Sequence, residues 1–251
     1  MQFHAYGDRD NKRILLLHGM LCDWAKFRAL LRPLEASYYV IYPAMTGCYD
    51  GSADFVSFAE ECAQIEAYVL ENLGGQLDAV WGASQGATVL TELLARNRVR
   101  VNTAILDGVY LAHQGKLAAM LGLRAFLRMQ RNGGQVSGAM RAASRLMGLK
   151  KEDMAEFSLM YRGASRSSMK ANLIENYTYR VNEAIRDCEA EVHLWCGDRE
   201  PYAIKSHNLL KPLLRHYEER IWPDAGHGVM LYFHTDEYLD AIRDVLGRIG
   251  E

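Results

Sequence analysis

The sequence predicts an α/β protein whose mostly parallel sheet is covered by helices on both faces. Three observations support this prediction: short apolar runs end at turn residues, amphipathic segments of helical period separate them, and the composition suits one large core. With 251 residues, of which 49% are hydrophobic, the chain is long enough for one compact domain with an insertion. Strands that alternate with helices are typical of a sheet buried on both faces.

The predicted strands are apolar runs rich in β-branched and aromatic residues. They cover residues 14–17, 38–42, 77–81, 103–106, 191–196 and 220–222. Amphipathic patterns predict helices at residues 55–70, 87–96 and 236–249.

The segment after Asp107 and Gly108 shows helical spacing and no convincing strand. Its apolar side chains recur on two helical faces, Val136, Met140, Ala143 and Met147 on one and Met154, Phe157 and Tyr161 on the other. From residue 116 to 186 it carries 13 Lys and Arg against 5 Asp and Glu, an excess of +8 that leaves −10 for the rest of the chain. We therefore predict a core domain of residues 1–108 and 188–251 and an all-helical cap insertion of residues 109–187.

Composition and charge argue against several classes of protein. A net charge of −2 does not favour nucleic-acid binding. No stretch reaches the roughly 18 apolar residues of a membrane-spanning helix, and the N-terminus lacks the apolar run of a signal peptide, so we expect a cytoplasmic protein without membrane insertion. The five cysteines are scattered and form no CxxC pair, which indicates reduced thiols and neither a disulfide framework nor a zinc site.

The sharpest motif is GASQG at residues 82–86, between a predicted strand and a predicted helix. A turn from strand to helix strains the backbone at its serine, and small residues two positions before and after it avoid clashes. Ser84 is therefore the candidate nucleophile. The backbone N–H of Gln85 and that of Met20, which follows His18 and Gly19 at the end of a strand, could together stabilise an oxyanion.

The candidate general base is His227, in the motif DAGHG after the last strand. Flanking glycines leave room for a loop that brings an imidazole into a cleft. The acid that orients this imidazole should lie between the serine and the histidine along the chain. Glu200 and Asp198, both in the loop GDREP, are the first two candidates, and Asp107 is a third.

The set LLLHGM, GASQG, CGDREP and DAGHG, in this order after successive strands, resembles the α/β-hydrolase superfamily. The resemblance implies the α/β-hydrolase fold and attack of Ser84 on an acyl carbon, with His227 as general base and Met20 and Gln85 at the oxyanion hole. It also favours Glu200 as the acid, because the family's acid occupies the fourth position of a G-x-x-D loop. Glutamate in place of aspartate departs from that pattern and keeps Asp198 as the alternative. A second departure lies at residues 43–47, PAMTG, where many relatives have a G-x-G-x-S turn.

The implied function is hydrolysis of a small carboxylic ester, thioester or amide, held between the sheet and the cap, without cofactor or metal. The same residues could also serve carbon–carbon bond hydrolysis, acyl transfer or a lyase step, and the fold can host a ligand-binding protein with little turnover. The sequence leaves the acyl group and the oligomeric state open.

Overall fold

The described part of the chain comprises residues 1–111, 113–131, 138 and 161–249 of a computed structural model. Six of the side chains assigned to helical faces of the insertion, Val136, Met140, Ala143, Met147, Met154 and Phe157, lie outside these residues.

Seven strands of the described residues form one sheet. They are β1 (Gln2–Tyr6), β2 (Arg13–Leu17), β3 (Tyr39–Ala44), β4 (Gln76–Ala83), β5 (Arg100–Asp107), β6 (Glu191–Gly197) and β7 (Tyr217–Trp222). Their spatial order is β1-β3-β2-β4-β5-β6-β7, with β1 antiparallel to β3 and every other neighbouring pair parallel. The predicted α/β class and mostly parallel sheet are confirmed, and β1 is a strand that the sequence analysis missed.

Helices cover both faces of this sheet. Those of the described chain are α1 (Trp24–Leu31), α2 (Phe58–Leu73), α3 (Gln85–Arg96), α4 (Lys116–Arg131), α5 (Arg166–Thr178), α6 (Pro201–Leu210), α7 (Val229–Phe233) and α8 (Thr235–Gly247). Short 3₁₀ helices lie at Arg32–Ala36 and Glu183–Asp187. None of the helices within the described ranges has the length and apolarity needed to cross a membrane.

The strands divide their apolar side chains between two cores, because successive residues of a strand point to opposite faces. Leu15, Val80 and Leu106 pack in the cluster that includes α2 and α3. Their chain neighbours Leu16, Trp81 and Ile105 pack in the cluster that includes α1 and α8. This burial on both faces explains why the strands of the sequence are apolar runs instead of alternating patterns.

Parallel strands bring their carboxyl ends to one edge of the sheet. The segments that follow β2, β4, β5 and β6 therefore meet there, and they include Gly19, Ser84, Gly108 and Glu200. The crevice at the carboxyl edge is where open α/β sheets bind their ligands.

Helices α4 and α5, both between β5 and β6, pack together next to that edge. Their apolar side chains Ala119, Leu123, Met169 and Leu173 share a buried cluster with Leu21 and Cys48, which follow β2 and β3. The described residues from 113 to 131 and from 161 to 187 contain helices and no strand. The boundaries 109–187 of the cap stay a prediction.

Candidate active site

Ser84 lies at the turn from β4 into α3 in a strained backbone conformation. Its φ and ψ are 54° and −115°, outside the regions that side-chain-bearing residues favour, and such strain costs on the order of 1–3 kcal/mol. Its N–H donates to the carbonyl of Asp107 at 2.7 Å, which fixes the turn against the end of β5. The side chain is partly exposed at the carboxyl edge of the sheet.

The glycines of the motif have a steric role. A Cβ on Gly86 would lie 2.2 Å from the carbonyl oxygen of Leu17 in β2, and one on Gly82 would lie 2.5 Å from the backbone of Gly86. Neither contact is possible between real atoms, so α3 can begin this close to the sheet only with glycine at both positions. The steric reasoning that singled out Ser84 therefore agrees with the geometry of the turn.

The structure brings Glu200 and His227 into direct contact. His227 Nδ1 donates to Glu200 Oε2 at 2.5 Å, and Gly197 N–H donates to the other carboxylate oxygen at 2.7 Å. His227 is 4% exposed and Glu200 is 2% exposed. With Nδ1 donating to the carboxylate, the tautomer is fixed and Nε2 is the ring nitrogen that can accept a proton.

Gly108 lets the end of β5 approach this pair. A Cβ at Gly108 would lie 2.7 Å from His227 Cε1 and 3.3 Å from Glu200 Oε2, and its φ is +58°. Since Asp107 accepts the N–H of Ser84, the Asp107–Gly108 segment contacts the serine turn on one side and the imidazole on the other. Ser84, Glu200 and His227 thus gather around the end of one strand.

Tyr110 is a site residue that the sequence analysis missed. Its ring centroid lies 4.9 Å from that of His227, and its hydroxyl donates to Glu200 Oε2 at 3.4 Å. Its position three residues beyond β5 was the one available signal, and no motif marks it.

The other two acid candidates have different surroundings. Asp198 is exposed, and its described hydrogen bond is the one from its backbone N–H to the carbonyl of Trp222. Asp107 is partly buried, and its carboxylate accepts a hydrogen bond from the Tyr238 hydroxyl at 2.6 Å. Burial, together with the nearby charge of Glu200, raises the pKa of Asp107 to about 7. Of the three candidates, only Glu200 has a described hydrogen bond to the imidazole.

The candidate oxyanion donors lie at a tight turn and at a helix start. The turn after β2 is closed by Cys22 N–H on the carbonyl of Gly19, which leaves the N–H of Met20 outside the turn's own hydrogen bond. The N–H of Gln85, the first residue of α3, has no acceptor within the helix.

His18 has a structural role behind that turn. Its Nδ1 donates to the Gly19 carbonyl at 2.9 Å and its Nε2 accepts from Met45 N–H at 3.2 Å. Burial lowers the pKa of His18 to about 4, so its ring is neutral at pH 7. Because the Gly19 carbonyl and the Met20 N–H belong to one trans peptide, fixing the carbonyl turns the N–H to the opposite side.

Helix α5 reaches Gln85, the residue after Ser84. Asn176 Nδ2 donates to Gln85 Oε1 at 3.2 Å and to the backbone carbonyl and side-chain oxygen of Asn172 at 2.9 and 3.0 Å. The sequence analysis did not predict this contact of Asn176 with the serine turn. Asparagines at helical spacing are common on exposed helix faces, so the spacing of Asn172 and Asn176 gave no signal.

Metal-ligating side chains are grouped elsewhere in the described chain. The group of three compact enough for an ion consists of Glu191, His193 and Glu218, in the first residues of β6 and β7. It lies at the amino edge of the sheet, opposite Ser84.

Comparison with known proteins identifies the family and the fold. A family model described as "Alpha/beta hydrolase family" matches residues 14–241, which is most of the chain. A search of curated protein sequences finds no match.

Solved structures with the same fold include three bacterial proteins. A chain from Desulfitobacterium hafniense assigned to the alpha/beta hydrolase family has a TM-score of 0.83 at 23% identity, covering 98% of this chain and 100% of that one. A thermophilic esterase from Thermogutta terrifontis has a TM-score of 0.76 at 17% identity, covering 100% and 94%. The esterase EaEST from Exiguobacterium antarcticum has a TM-score of 0.78 at 11% identity, covering 98% and 94%. At these identities the likeness shows the shared fold.

Proposed function

Because the chain belongs to the alpha/beta hydrolase family, we propose that it is a serine hydrolase that cleaves a small carboxylic ester, thioester or amide through an acyl-enzyme on Ser84. The observation that carries the proposal is the buried Glu200–His227 hydrogen bond, which lies at the same strand end as the strained Ser84 turn. An imidazole whose Nδ1 is held by a carboxylate is equipped to take a proton at Nε2.

In the first half of the reaction, Ser84 Oγ attacks the acyl carbon while His227 Nε2 takes the hydroxyl proton. The charge that develops on the carbonyl oxygen is stabilised by the N–H groups of Met20 and Gln85. The imidazolium, stabilised by Glu200, then donates its proton to the leaving group, and the acyl-enzyme remains.

In the second half, water takes the place of the leaving group. His227 removes a proton from the water as its oxygen attacks the acyl carbon, and returns the proton to Ser84 Oγ as the ester bond breaks. The products are a carboxylic acid and the alcohol, thiol or amine of the leaving group. Atoms and charges balance without a cofactor.

A partly apolar acyl group fits the surroundings best. Leu21 and Met20 follow β2 beside the serine turn, and they belong to the apolar cluster of α4 and α5. The aromatic ring of Tyr110 packs against His227 on the other side. Burial of an apolar substrate between these groups would contribute about 25 cal/mol for each Å² removed from water.

The test is covalent labelling by a fluorophosphonate probe, which needs no knowledge of the substrate. Attack of Ser84 Oγ on phosphorus expels fluoride and leaves a stable phosphonyl ester. We expect labelling of the wild-type chain, none of Ser84→Ala, and labelling slowed by at least about 10³-fold in His227→Ala.

Ser37→Ala is the matched control, since Ser37 is exposed and far along the chain from the motif. It should label at the wild-type rate. Labelling of Ser84→Ala, or a folded wild-type chain that does not label, would overturn the proposal. Far-UV circular dichroism of each variant verifies that the fold is retained.

A further inference from the structure

The amino edge of the sheet carries a second His–Glu cluster, away from the candidate active site. Glu191 and His193 are two residues apart in β6, so their side chains point to the same face. Glu218 of β7 is the register partner of His193 and shares that face. The local backbone therefore places one imidazole between two carboxylates.

The three side chains of this cluster are close enough together for one ion. The imidazole contacts the two glutamates through different nitrogens, because His193 Nε2 lies 3.2 Å from Glu191 Oε1 and His193 Nδ1 lies 3.5 Å from Glu218 Oε2. One of these nitrogens would bind the ion. One ligand atom from each residue lies within 4.8 Å of the other two. Ligands about 2.0–2.2 Å from a tetrahedral ion are roughly 3–4 Å from one another, so small side-chain rotations suffice.

His193 provides an independent reason to expect a ligand. The residue is 1% exposed, and within the described residues its Nε2 has no hydrogen-bond partner despite the nearby carboxylate. Buried polar atoms are almost always paired, because an unpaired one loses its hydration without compensation. If Nδ1 of the neutral ring carries the proton, Nε2 has a lone pair that faces the lone pairs of the Glu191 carboxylate. A cation between them removes that repulsion.

The charged groups around the cluster are compatible with an ion. Arg248 Nη1 contacts both oxygens of Glu218, at 3.1 and 3.2 Å, but this pair is about half exposed, and such pairs contribute little. Arg220 stacks over Trp195 and Trp222 instead of pairing with the glutamates in the described contacts.

We propose that Glu191, His193 and Glu218 form a binding site for one divalent transition-metal ion of the Zn²⁺ class. An imidazole with two carboxylates suits Zn²⁺, Co²⁺ or Mn²⁺ better than Mg²⁺ or Ca²⁺, which prefer oxygen ligands alone. Three protein ligands leave a fourth position for water. The ion would join the first residues of the edge strand β7 to those of β6, so its role is to stabilise the sheet.

The experiment is titration of the full chain with Zn²⁺ by isothermal calorimetry after treatment with a chelator, repeated with Co²⁺ to record its visible absorption. The wild-type chain should bind one ion, and binding should raise Tm by about 5 °C or more at a hundredfold excess over Kd. His193→Asn and Glu218→Gln should each weaken binding at least about 100-fold. Glu218 is exposed, so its variant keeps the test valid if the His193 variant does not fold.

His216→Asn is the matched control. His216 is exposed, directly precedes β7, and is the nearby surface histidine that could bind zinc without this site. Its variant should bind Zn²⁺ as the wild type does. Equal affinity in Glu218→Gln, loss of binding in His216→Asn, or the absence of a one-to-one complex would each overturn the proposal. Ser84→Ala should bind normally, so this result is independent of whether the chain is a serine hydrolase.

Discussion

Two buried histidines lie beside glutamates at the two ends of β6, and the exposure of their partners differs. At the carboxyl end, His227 contacts Glu200 at 2.5 Å, and both are nearly inaccessible to water. At the amino end, His193 lies 3.2 and 3.5 Å from Glu191 and Glu218, whose side chains are 45% and 55% exposed. The residue types are the same, but only the first contact excludes solvent from both partners.

This difference in exposure means that the Glu200–His227 pair has a fixed geometry, whereas the glutamates around His193 can change their orientation. Away from water the attraction between opposite charges is stronger and the geometry is fixed by packing, whereas exposed carboxylates are hydrated and can rotate. Glu200 is further held by Gly197 N–H, so its second oxygen has one orientation toward the imidazole. The carboxyl end therefore suits proton transfer, which needs fixed geometry, and the amino end suits an ion that draws ligands around itself.

The largest expected effect is that of removing the charge of Glu200. In Glu200→Gln the amide cannot stabilise the imidazolium, and we expect kcat for a p-nitrophenyl ester to fall by about 10³–10⁴-fold with little change in KM. The matched control is Asp198→Asn in the same loop, which should leave kcat nearly unchanged because Asp198 is exposed. Equal losses in the two variants would contradict the assignment of the acid.

The next effect is on stability, through the buried carboxyl of Asp107. Its pKa is about 7 in the folded chain, against an ordinary value of 3.8, so between these values the folded state holds a proton that the unfolded state has lost. The wild-type free energy of unfolding should therefore contain a contribution that falls as pH rises from about 4 to 7, by on the order of 4 kcal/mol.

Asp107→Asn removes this contribution. The difference in unfolding free energy, variant minus wild type, should increase with pH over the same window, as measured by urea denaturation at pH 4.5, 5.5, 6.5 and 7.5. Taking the difference cancels groups that act in the opposite direction, such as His18, whose lowered pKa makes stability rise with pH between about 4 and 6.5. A difference that is constant with pH would show that Asp107 is ionised throughout.

A third change tests the close approach of β5 to the imidazole. In Gly108→Ala the new methyl would overlap His227 Cε1, so the ring must move, and we expect kcat to fall by about 100-fold. Gly115→Ala is the matched control, because Gly115 also has positive φ, +88°, but a Cβ there contacts nothing within 4 Å. Both variants carry backbone strain at a residue with positive φ. A similar kcat in the two would therefore argue that the close contact between Gly108 and His227 has no role in catalysis.

The sequence predicted the strands that are apolar on both faces and missed or shortened the polar ones. Residues 14–17 and 77–81 are buried runs, and they lie within β2 and β4. β1, with the sequence QFHAY, is partly exposed at the sheet edge and has no apolar run. β7 begins at Tyr217, three residues earlier than predicted, because its first residues are exposed and include two glutamates. Edge strands owe their place to backbone pairing, which side-chain patterns do not record.

The sequence could also locate the candidate site residues whose loops require special backbone geometry. Ser84 follows from the glycines that its turn needs, and His227 from a glycine-flanked loop. The choice between Asp198 and Glu200 could not be made from the residues alone, because two positions of one loop differ only in which way the side chain turns. Tyr110 depends on the path of the chain after β5, and His193 on the register between β6 and β7, so neither is visible in a local pattern.

The smallest expected effect is that of Glu218→Gln on the metal-free chain. This substitution breaks an exposed pair with Arg248 and weakens the contact with His193, so the free energy of unfolding should change by less than about 1 kcal/mol. Urea denaturation in the presence of a chelator measures it. A loss of several kcal/mol without metal would mean that the amino-end cluster is as tightly fixed as the Glu200–His227 pair, and the contrast between the two ends of β6 would fail. A small loss that becomes large only when Zn²⁺ is added would instead assign the stabilisation to the ion, since the variant lacks one of its ligands.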